Sequence, residues 1–276
     1  MTHLSSFNIS VDFPLYHSDN RSLKKSVLGA AAGRFGIDRN QRPVVQALRD
    51  ISFTLRSGDR LGLIGPNGSG KTTLLRALSG IYQPASGTLS IEGKLTSLLD
   101  STQGMNMELT GRENIRLRGL FLGMGKPDIA RLESDVESFA EIGEFIDLPV
   151  RNYSSGMIVR LAFAMATAAQ PEILLMDEWI MAGDTAFLEK AKRRVETMVR
   201  HADILVLASH SSAIIAQWCN RVIWLEHGKI LADGRPLDVF SEYLPPEQFK
   251  ELIGSVRMAP PIAEVGPAER LQASDR

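Results

Sequence analysis

One eight-residue stretch constrains this chain more than any other. Gly65-Pro66-Asn67-Gly68-Ser69-Gly70-Lys71-Thr72 satisfies the pattern G-x-x-x-x-G-K-[ST]. It follows Arg60–Ile64, a short apolar run that reads as a buried strand, and opens Thr72–Gly80, which has helical character and closes on a glycine. Each residue type has a physical reason. Glycines let backbone N–H groups converge on phosphate oxygens without side-chain obstruction. The positive end of the following helix points at the same place. Lys71 supplies a point charge for the β- and γ-phosphates of a nucleotide, and the Thr72 hydroxyl can ligate Mg²⁺. The competing reading is a glycine-rich turn before a helix with an exposed lysine.

A second element suits the first. Ile173-Leu174-Leu175-Met176 is an apolar strand that ends in Asp177-Glu178. Asp177 then falls at the C-terminal edge of the sheet, where ligands of open α/β sheets bind and where a carboxylate can support Mg²⁺. Glu178 beside it is placed to polarise an attacking water as general base. A strand followed by a polar turn is the plainer alternative.

Around these elements the chain reads as alternating strand and helix. Ile51–Leu55, Gly87–Gly93, Ile204–Ser209 and Val222–Leu231 are strand-like, and Phe187–Val199 is of helix length. That alternation implies a parallel sheet with crossover helices. Residues 111–170 are different in character. Ile129, Leu132, Val136, Phe139, Ile142, Phe145 and Ile146 recur at helical spacing after Pro127, and Arg160–Ala169 is a second helical stretch, so a helical insert is expected. Residues 1–46 read as an N-terminal extension in which Phe7–Phe13 alternates like a strand. Its dispersed basic residues (Arg21, Lys24, Lys25, Arg34, Arg39, Arg42) suit either a solvated connector or contact with an anionic partner. Residues 241–276 read as a tail, disordered from Met258, where Pro and Ala dominate.

Composition narrows the function classes. With 31 Lys+Arg against 32 Asp+Glu, a net charge of −1 leaves no basic excess to hold nucleic acid by bulk charge. The single cysteine, Cys219, excludes an intramolecular disulfide framework or cysteine zinc cluster and reads as a packed apolar residue. No apolar run reaches bilayer length and the N-terminus lacks a signal-peptide pattern, so a soluble protein is expected, with any membrane role supplied by a partner. His3, His17, His201 and His227 match no motif and read as surface or turn residues.

Asn152-Tyr153-Ser154-Ser155-Gly156-Met157 narrows the reading further. This segment resembles the degenerate signature motif of ATP-binding cassette (ABC) ATPases, an element that kinases and GTPases lack. The residues alone agree: hydroxyl, glycine and a helix N-terminus form an anion site, although a plain Ser/Gly helix cap would look the same. The resemblance implies a P-loop NTPase fold of the α/β class: a RecA-like core, an antiparallel β subdomain and an inserted helical subdomain. The cassette would span 47–240. Gly65 through Thr73 would bind ATP, with Thr72 and Asp177 holding Mg²⁺. Tyr153, Ser154, Ser155 and Gly156 would meet the ATP held by the opposite protomer of a homodimer. His210, after Ile204–Ser209, resembles the switch histidine that links γ-phosphate to the catalytic Glu178. Asp184, in Met181-Ala182-Gly183-Asp184, occupies the position of the family's D-loop aspartate.

Two places depart from the family pattern. The glutamine that commonly precedes Leu109-Thr110-Gly111-Arg112-Glu113-Asn114 is replaced at its usual offset by Ser101, and Gln103, two residues on, is the candidate for its role. The aromatic that stacks on adenine is missing from Asn40–Gln46, and Tyr16 is the candidate substitute. The combination of FPLYxxxxRSLK, ELTGREN, YSSGM and RLAFAMA looks like the polysaccharide exporter branch of the family, over residues 10–240. That likeness implies an ATPase that energises export of O-antigen, capsular polysaccharide or a related polyol-phosphate polymer. It would work through a multi-span ABC permease, at the cytoplasmic face of a bacterial inner membrane and with no span of its own. The cleft beside Thr102–Arg112 is where that permease is expected to dock. Some members carry a C-terminal carbohydrate-binding domain; only 39 residues follow Leu237, too few for one. Other cargoes (lipid, teichoic acid, drug), a non-transport cassette and a silent cassette that only binds ATP are the alternatives.

Overall fold

The computed structural model describes residues 2–15, 35–37, 42–99, 104–177 and 185–258. The chain divides into two units: Met1–Leu99 with Glu172–Glu178 and Asp203–Glu264, and Asp100–Pro171 with Trp179–Ala202 and Val265–Arg276.

The first unit holds two sheets. In one, β1 (His3–Pro14), β2 (Phe35–Ile37), β3 (Pro43–Arg56) and β5 (Ser86–Glu92) run antiparallel in the order β2-β3-β1-β5. Ile51, Phe53 and Leu55 of β3 turn inward while Ser52, Thr54 and Arg56 face out, the alternation of a sheet covered on one side. The stretch read as an N-terminal extension thus supplies the strand between β3 and β5. Leu4, Ile9 and Val11 of β1 are among the most buried side chains in the unit.

The second sheet is the one the strand–helix alternation anticipates. Its order is β10 (Lys229–Gly234), β9 (Arg221–Glu226), β4 (Arg60–Ile64), β8 (Ile204–Ala208), β7 (Ile173–Asp177) and β6 (Leu95–Leu98). From β9 to β6 every pairing is parallel, and only β10 is antiparallel. Every residue of β4 and β8 is buried, as befits central parallel strands covered on both faces. Helix α1 (Lys71–Leu78) packs Leu74, Leu75 and Leu78 into the core shared by both sheets. Gly62 leaves room for α6 (Ser212–Trp218): a Cβ there would lie 2.5 Å from Ile215 Cγ2 and 3.4 Å from the Sγ of buried Cys219.

The second unit is helical: α2 (Gly111–Phe121), α3 (Lys126–Ala140), α4 (Ser155–Thr167) and α5 (Thr185–His201), with 3-10 turns at Gly143–Asp147 and Val150–Asn152. The periodic pattern over 129–146 is not one helix. The chain leaves α3 at Glu141, whose φ is 50°, and Ile146 is reached through the 3-10 turn. Lys190 of α5 closes that helix end, donating to the carbonyls of Ser138 and Phe139, each at 3.2 Å, and pairing with Glu141 at 2.6 Å.

Past residue 240, where a tail was expected to begin, the chain completes α7 (Pro236–Tyr243) and adds α8 (Pro246–Met258), whose Leu252 is buried. The Pro- and Ala-rich end, 259–276, lies outside the described residues. Among the described residues no helix is long and apolar enough to cross a membrane.

Candidate nucleotide-binding site

The loop after β4 is built from three glycines in the left-handed region: Gly65 (φ 138°), Gly68 (φ 76°) and Gly70 (φ 115°). An L side chain at any of them would be strained. At Gly65 space forbids it as well, since a Cβ would come within 2.0 Å of the Leu225 carbonyl oxygen. The loop closes through Ser69 N–H, which donates to Pro66 O at 3.1 Å. A two-residue turn, His227-Gly228, supports it from the neighbouring hairpin: Gly228 N–H donates to Ser69 O at 2.9 Å, and Gly228 O accepts from Arg49 N–H at 2.8 Å. Both turn residues have positive φ (50° and 75°), the geometry of a tight β9–β10 hairpin. Sequence reading assigned this turn no part in the site. The signal was present in Glu226-His227-Gly228-Lys229, but it marks only a hairpin and says nothing of what the hairpin touches.

The electrostatics suit an anion. Helix α1 starts inside the motif without a side-chain cap and without an acidic residue in its first turn. The first intrahelical bond is Leu74 N–H to Gly70 O at 2.8 Å, so the N–H groups of Lys71, Thr72 and Thr73 have no acceptor within the helix. Lys71 is only 8% exposed, and its Nζ donates to Gly65 O at 2.7 Å and Pro66 O at 3.2 Å. The loop's own carbonyls hold this ammonium over the cradle. Ser69 is fully buried with its hydroxyl oxygen unpartnered. First-turn N–H groups that no helix carbonyl takes up, a buried cation and an unpartnered hydroxyl therefore converge on one loop that tolerates no side chain at its glycines. A phosphate chain satisfies all of them at once.

The other residues of this unit reach the same edge of the sheet. Asp177 pairs in register with Ala208, and Ala208 with Leu63, so the C-terminal ends of β7, β8 and β4 are level. Asp177, the loop that follows Ile64, and His210, two residues beyond Ala208, all leave that edge. His210 is exposed, just ahead of α6, whose cap is Ser211. Thr72 is exposed at the second position of α1. No cluster of three or more His, Cys, Asp or Glu side chains able to hold a metal occurs among the described residues. One hydroxyl and one carboxylate fit Mg²⁺, which is commonly held by one or two protein oxygens together with nucleotide phosphates.

In the helical unit, Ser154 is the N-cap of α4, its hydroxyl accepting from Met157 N–H at 3.3 Å. Ser154, Ser155 and Gly156 are exposed, whereas Tyr153 is buried and donates its hydroxyl to Phe145 O at 2.6 Å. Gly156 has no positive φ, and a Cβ there would meet nothing within 4 Å, so its own chain does not require a glycine. Tyr16, Gln103, Glu178 and Asp184 lie outside the described residues.

A glycine-cradled phosphate loop between a parallel strand and a helix, with an aspartate at the same sheet edge, defines a P-loop nucleotide-binding protein. The comparisons carry this further. The ABC transporter family pattern matches residues 48–181. The O-antigen export system ATP-binding protein RfbE of Yersinia enterocolitica is 44% identical over 231 residues, 83% of this chain and 97% of that protein. RfbB of Myxococcus xanthus, of the same description, is 39% identical over 82% of this chain but only 52% of its own length. The teichoic acids export ATP-binding protein TagH of Lactococcus lactis is 38% identical over 79% of this chain and 47% of that protein. Among solved structures, the ATP-binding subunit of an ABC transporter superposes with a TM-score of 0.63 at 20% identity, covering 91% of this chain and 99% of the other. A dimeric ATP-binding cassette in a post-hydrolysis state with ADP and Pi gives 0.61 at 19% identity, over 84% and 98% of the two chains. The chain belongs to the ABC transporter family, as one of its ATP-hydrolysing cassettes.

Proposed function

We propose that this chain is the ATPase that energises export of a cell-surface polysaccharide through a partner ABC permease. The single observation that carries this reading is the 44% identity to an O-antigen export ATP-binding protein over nearly all of that protein's length. The likeness to teichoic acids export proteins keeps polyol-phosphate polymers within the same proposal. The permease would hold the chain at the cytoplasmic face of the inner membrane.

Two copies would close head to tail around two ATP molecules. Lys71 and the first-turn N–H groups of α1 bind the β- and γ-phosphates of one ATP, while Ser154 and Gly156 of the other copy meet its γ-phosphate. The exposure of that helix cap, and a glycine that its own chain does not need, support an approach from outside. Thr72 and Asp177 would hold Mg²⁺, which when bound neutralises charge developing between the β- and γ-phosphates. Glu178 would accept a proton from the attacking water, and His210 would orient the γ-phosphate against it. Ser155 would meet the same ATP as Ser154 and Gly156, while Tyr153, buried with its hydroxyl on Phe145 O, would brace that helix cap from within its own unit. Asp184 would help join the copies, Tyr16 would stack on the adenine and Gln103 would sense the metal and water.

Glu178→Gln tests the mechanism. The variant is expected to bind ATP, stop turning over and accumulate as an ATP-bound dimer by light scattering; unchanged turnover would remove Glu178 as base. Surface-glycan analysis of a deletion strain tests the cargo. Loss of a polysaccharide from the surface with its intracellular accumulation supports the proposal, and an intact glycan coat refutes it.

A further inference from the structure

The turn between β9 and β10 does more than reverse the chain. Its Gly228 directs both backbone groups outside its own hairpin: the N–H donates to Ser69 O at 2.9 Å, and the carbonyl accepts from Arg49 N–H at 2.8 Å. The same glycine packs against β3. A Cβ at Gly228 would lie 2.5 Å from the Ala47 carbonyl oxygen and 3.0 Å from its carbon. A Cβ at Gly70 would approach that oxygen too, at 3.1 Å, with Leu48 Cδ2 at 2.8 Å and Gly228 Cα at 3.7 Å. One carbonyl of β3 is therefore wedged between the hairpin turn and the residue at which α1 begins. All of these residues belong to the first unit.

Two other turns show that a turn glycine need not be so placed. Gly58 and Gly80 also have positive φ, of 95° and 77°, yet a Cβ at either meets nothing within 4 Å. Their backbones alone call for glycine, whereas Gly228 (φ 75°) also answers to a contact. Side chains can change rotamer to absorb a displacement; backbone pressed on backbone cannot. A shift of the turn therefore moves Ser69 and Gly70, and with them the first-turn N–H groups of Lys71, Thr72 and Thr73.

We propose that Gly228 is a positioning residue for ATP. It has no side chain to offer a ligand, and it acts by holding the phosphate loop where those N–H groups and Lys71 meet the β- and γ-phosphates. The proposal rests on the reading of that loop as the phosphate site, and adds to it a residue from outside every nucleotide motif of the chain. A loop displaced by a fraction of an ångström loses binding while the groups that do the chemistry remain. The signature of this role is a raised KM with kcat at saturating ATP retained.

The test uses the full chain with Mg-ATP. Gly228→Ala and Gly228→Asn both place a Cβ against the Ala47 carbonyl, and Asn tolerates the left-handed backbone that Ala resists. Both are expected to raise the KM for ATP by about tenfold or more, with the Kd for ADP rising in step. Gly58→Ala imposes backbone strain before the other end of β4 with no such contact; it is expected to lower the melting temperature and leave the KM unchanged. The unsubstituted chain supplies a measurement that needs no variant to fold. With ADP at roughly 100 times its Kd, amide hydrogen exchange at Gly228 and Arg49 should slow by about tenfold more than at Gly58, whose N–H donates to Asp203 O. An unchanged KM in folded Gly228 variants, an equal rise in Gly58→Ala, or exchange at Gly228 and Arg49 that slows no more than at Gly58 would each overturn the proposal. Should the unsubstituted chain bind neither ATP nor ADP, the phosphate-site reading itself fails, an outcome separable from the others.

Discussion

Two glycines of the candidate site answer to different constraints. Gly65 is required by its own chain, since a methyl group there would strike the Leu225 carbonyl and force a backbone with φ of 138° on an L residue. Gly65→Ala is expected to destabilise by about 1–3 kcal/mol or more and to lose nucleotide binding together with stability. Gly156 stands in open space with ordinary φ, so Gly156→Ala should melt like the unsubstituted chain. On the proposed dimer mechanism its ATPase activity should nevertheless fall, and thermal melts beside turnover assays separate the two cases. Lys71→Ala removes the cation over the loop and is expected to cut turnover by about 100-fold or more while the sheet stays folded, as circular dichroism would report. Cys219 makes a different prediction. Burial pushes its thiol up to about 12, so it stays protonated at pH 8 and should resist iodoacetamide until the chain is unfolded. Rapid labelling of the native protein at pH 8 would contradict this.

At the scale of elements, the loop before α2 shows how a short segment is held without regular structure. Thr110 and Glu113 form a capping box, the hydroxyl accepting from Glu113 N–H at 3.1 Å and the carboxylate accepting from Thr110 N–H at 2.8 Å. Asn114, 3% exposed, then acts as the loop's internal tie. Its amide donates to the carbonyls of Asn106 and Thr110, both at 2.9 Å, and its side-chain oxygen accepts from Asn106 N–H at 2.7 Å. Asn114→Ala leaves these groups without partners and is expected to cost about 1–3 kcal/mol in denaturant unfolding. Gly111 belongs to the same arrangement, because a Cβ there would lie 2.5 Å from the Tyr153 hydroxyl. The Leu109–Asn114 segment, singled out by family resemblance, thus has a structural reason in each polar residue it presents. Strand β1 makes the opposite point about reading from sequence. Its alternation was visible, but its place between β3 and β5 was not, since the pairing joins residues distant in sequence, such as Ser6 with Phe53 and Ser6 with Leu89. Removing residues 1–14 is therefore expected to yield an aggregated, unfolded product by sedimentation and circular dichroism, because two strands lose their common neighbour.

For the whole molecule, the proposed work cycle requires that nucleotide binding in one unit be completed by a second copy. Light scattering should find the Glu178→Gln chain dimeric with ATP and monomeric without it; a dimer independent of ATP would contradict head-to-tail closure around the nucleotide. Much of this architecture was legible beforehand. The phosphate loop, the buried strands β4, β7 and β8, and the helical character of the insert are each written in contiguous residues, since glycine conformations, apolar runs and helical periodicity are local properties of a chain. The less legible features depend on residues distant in sequence. The periodic run to Ile146 breaks at Glu141, and a lysine 49 positions later closes the helix. The phosphate loop leans on a hairpin glycine, Gly228, whose neighbours in sequence mark only a turn. By itself, the sequence determined the chemistry of the phosphate loop and the order of its strands and helices. Tertiary structure alone decided which carbonyl, lysine or carboxylate each group would meet, because those partnerships are made across space by packing and no local pattern encodes them.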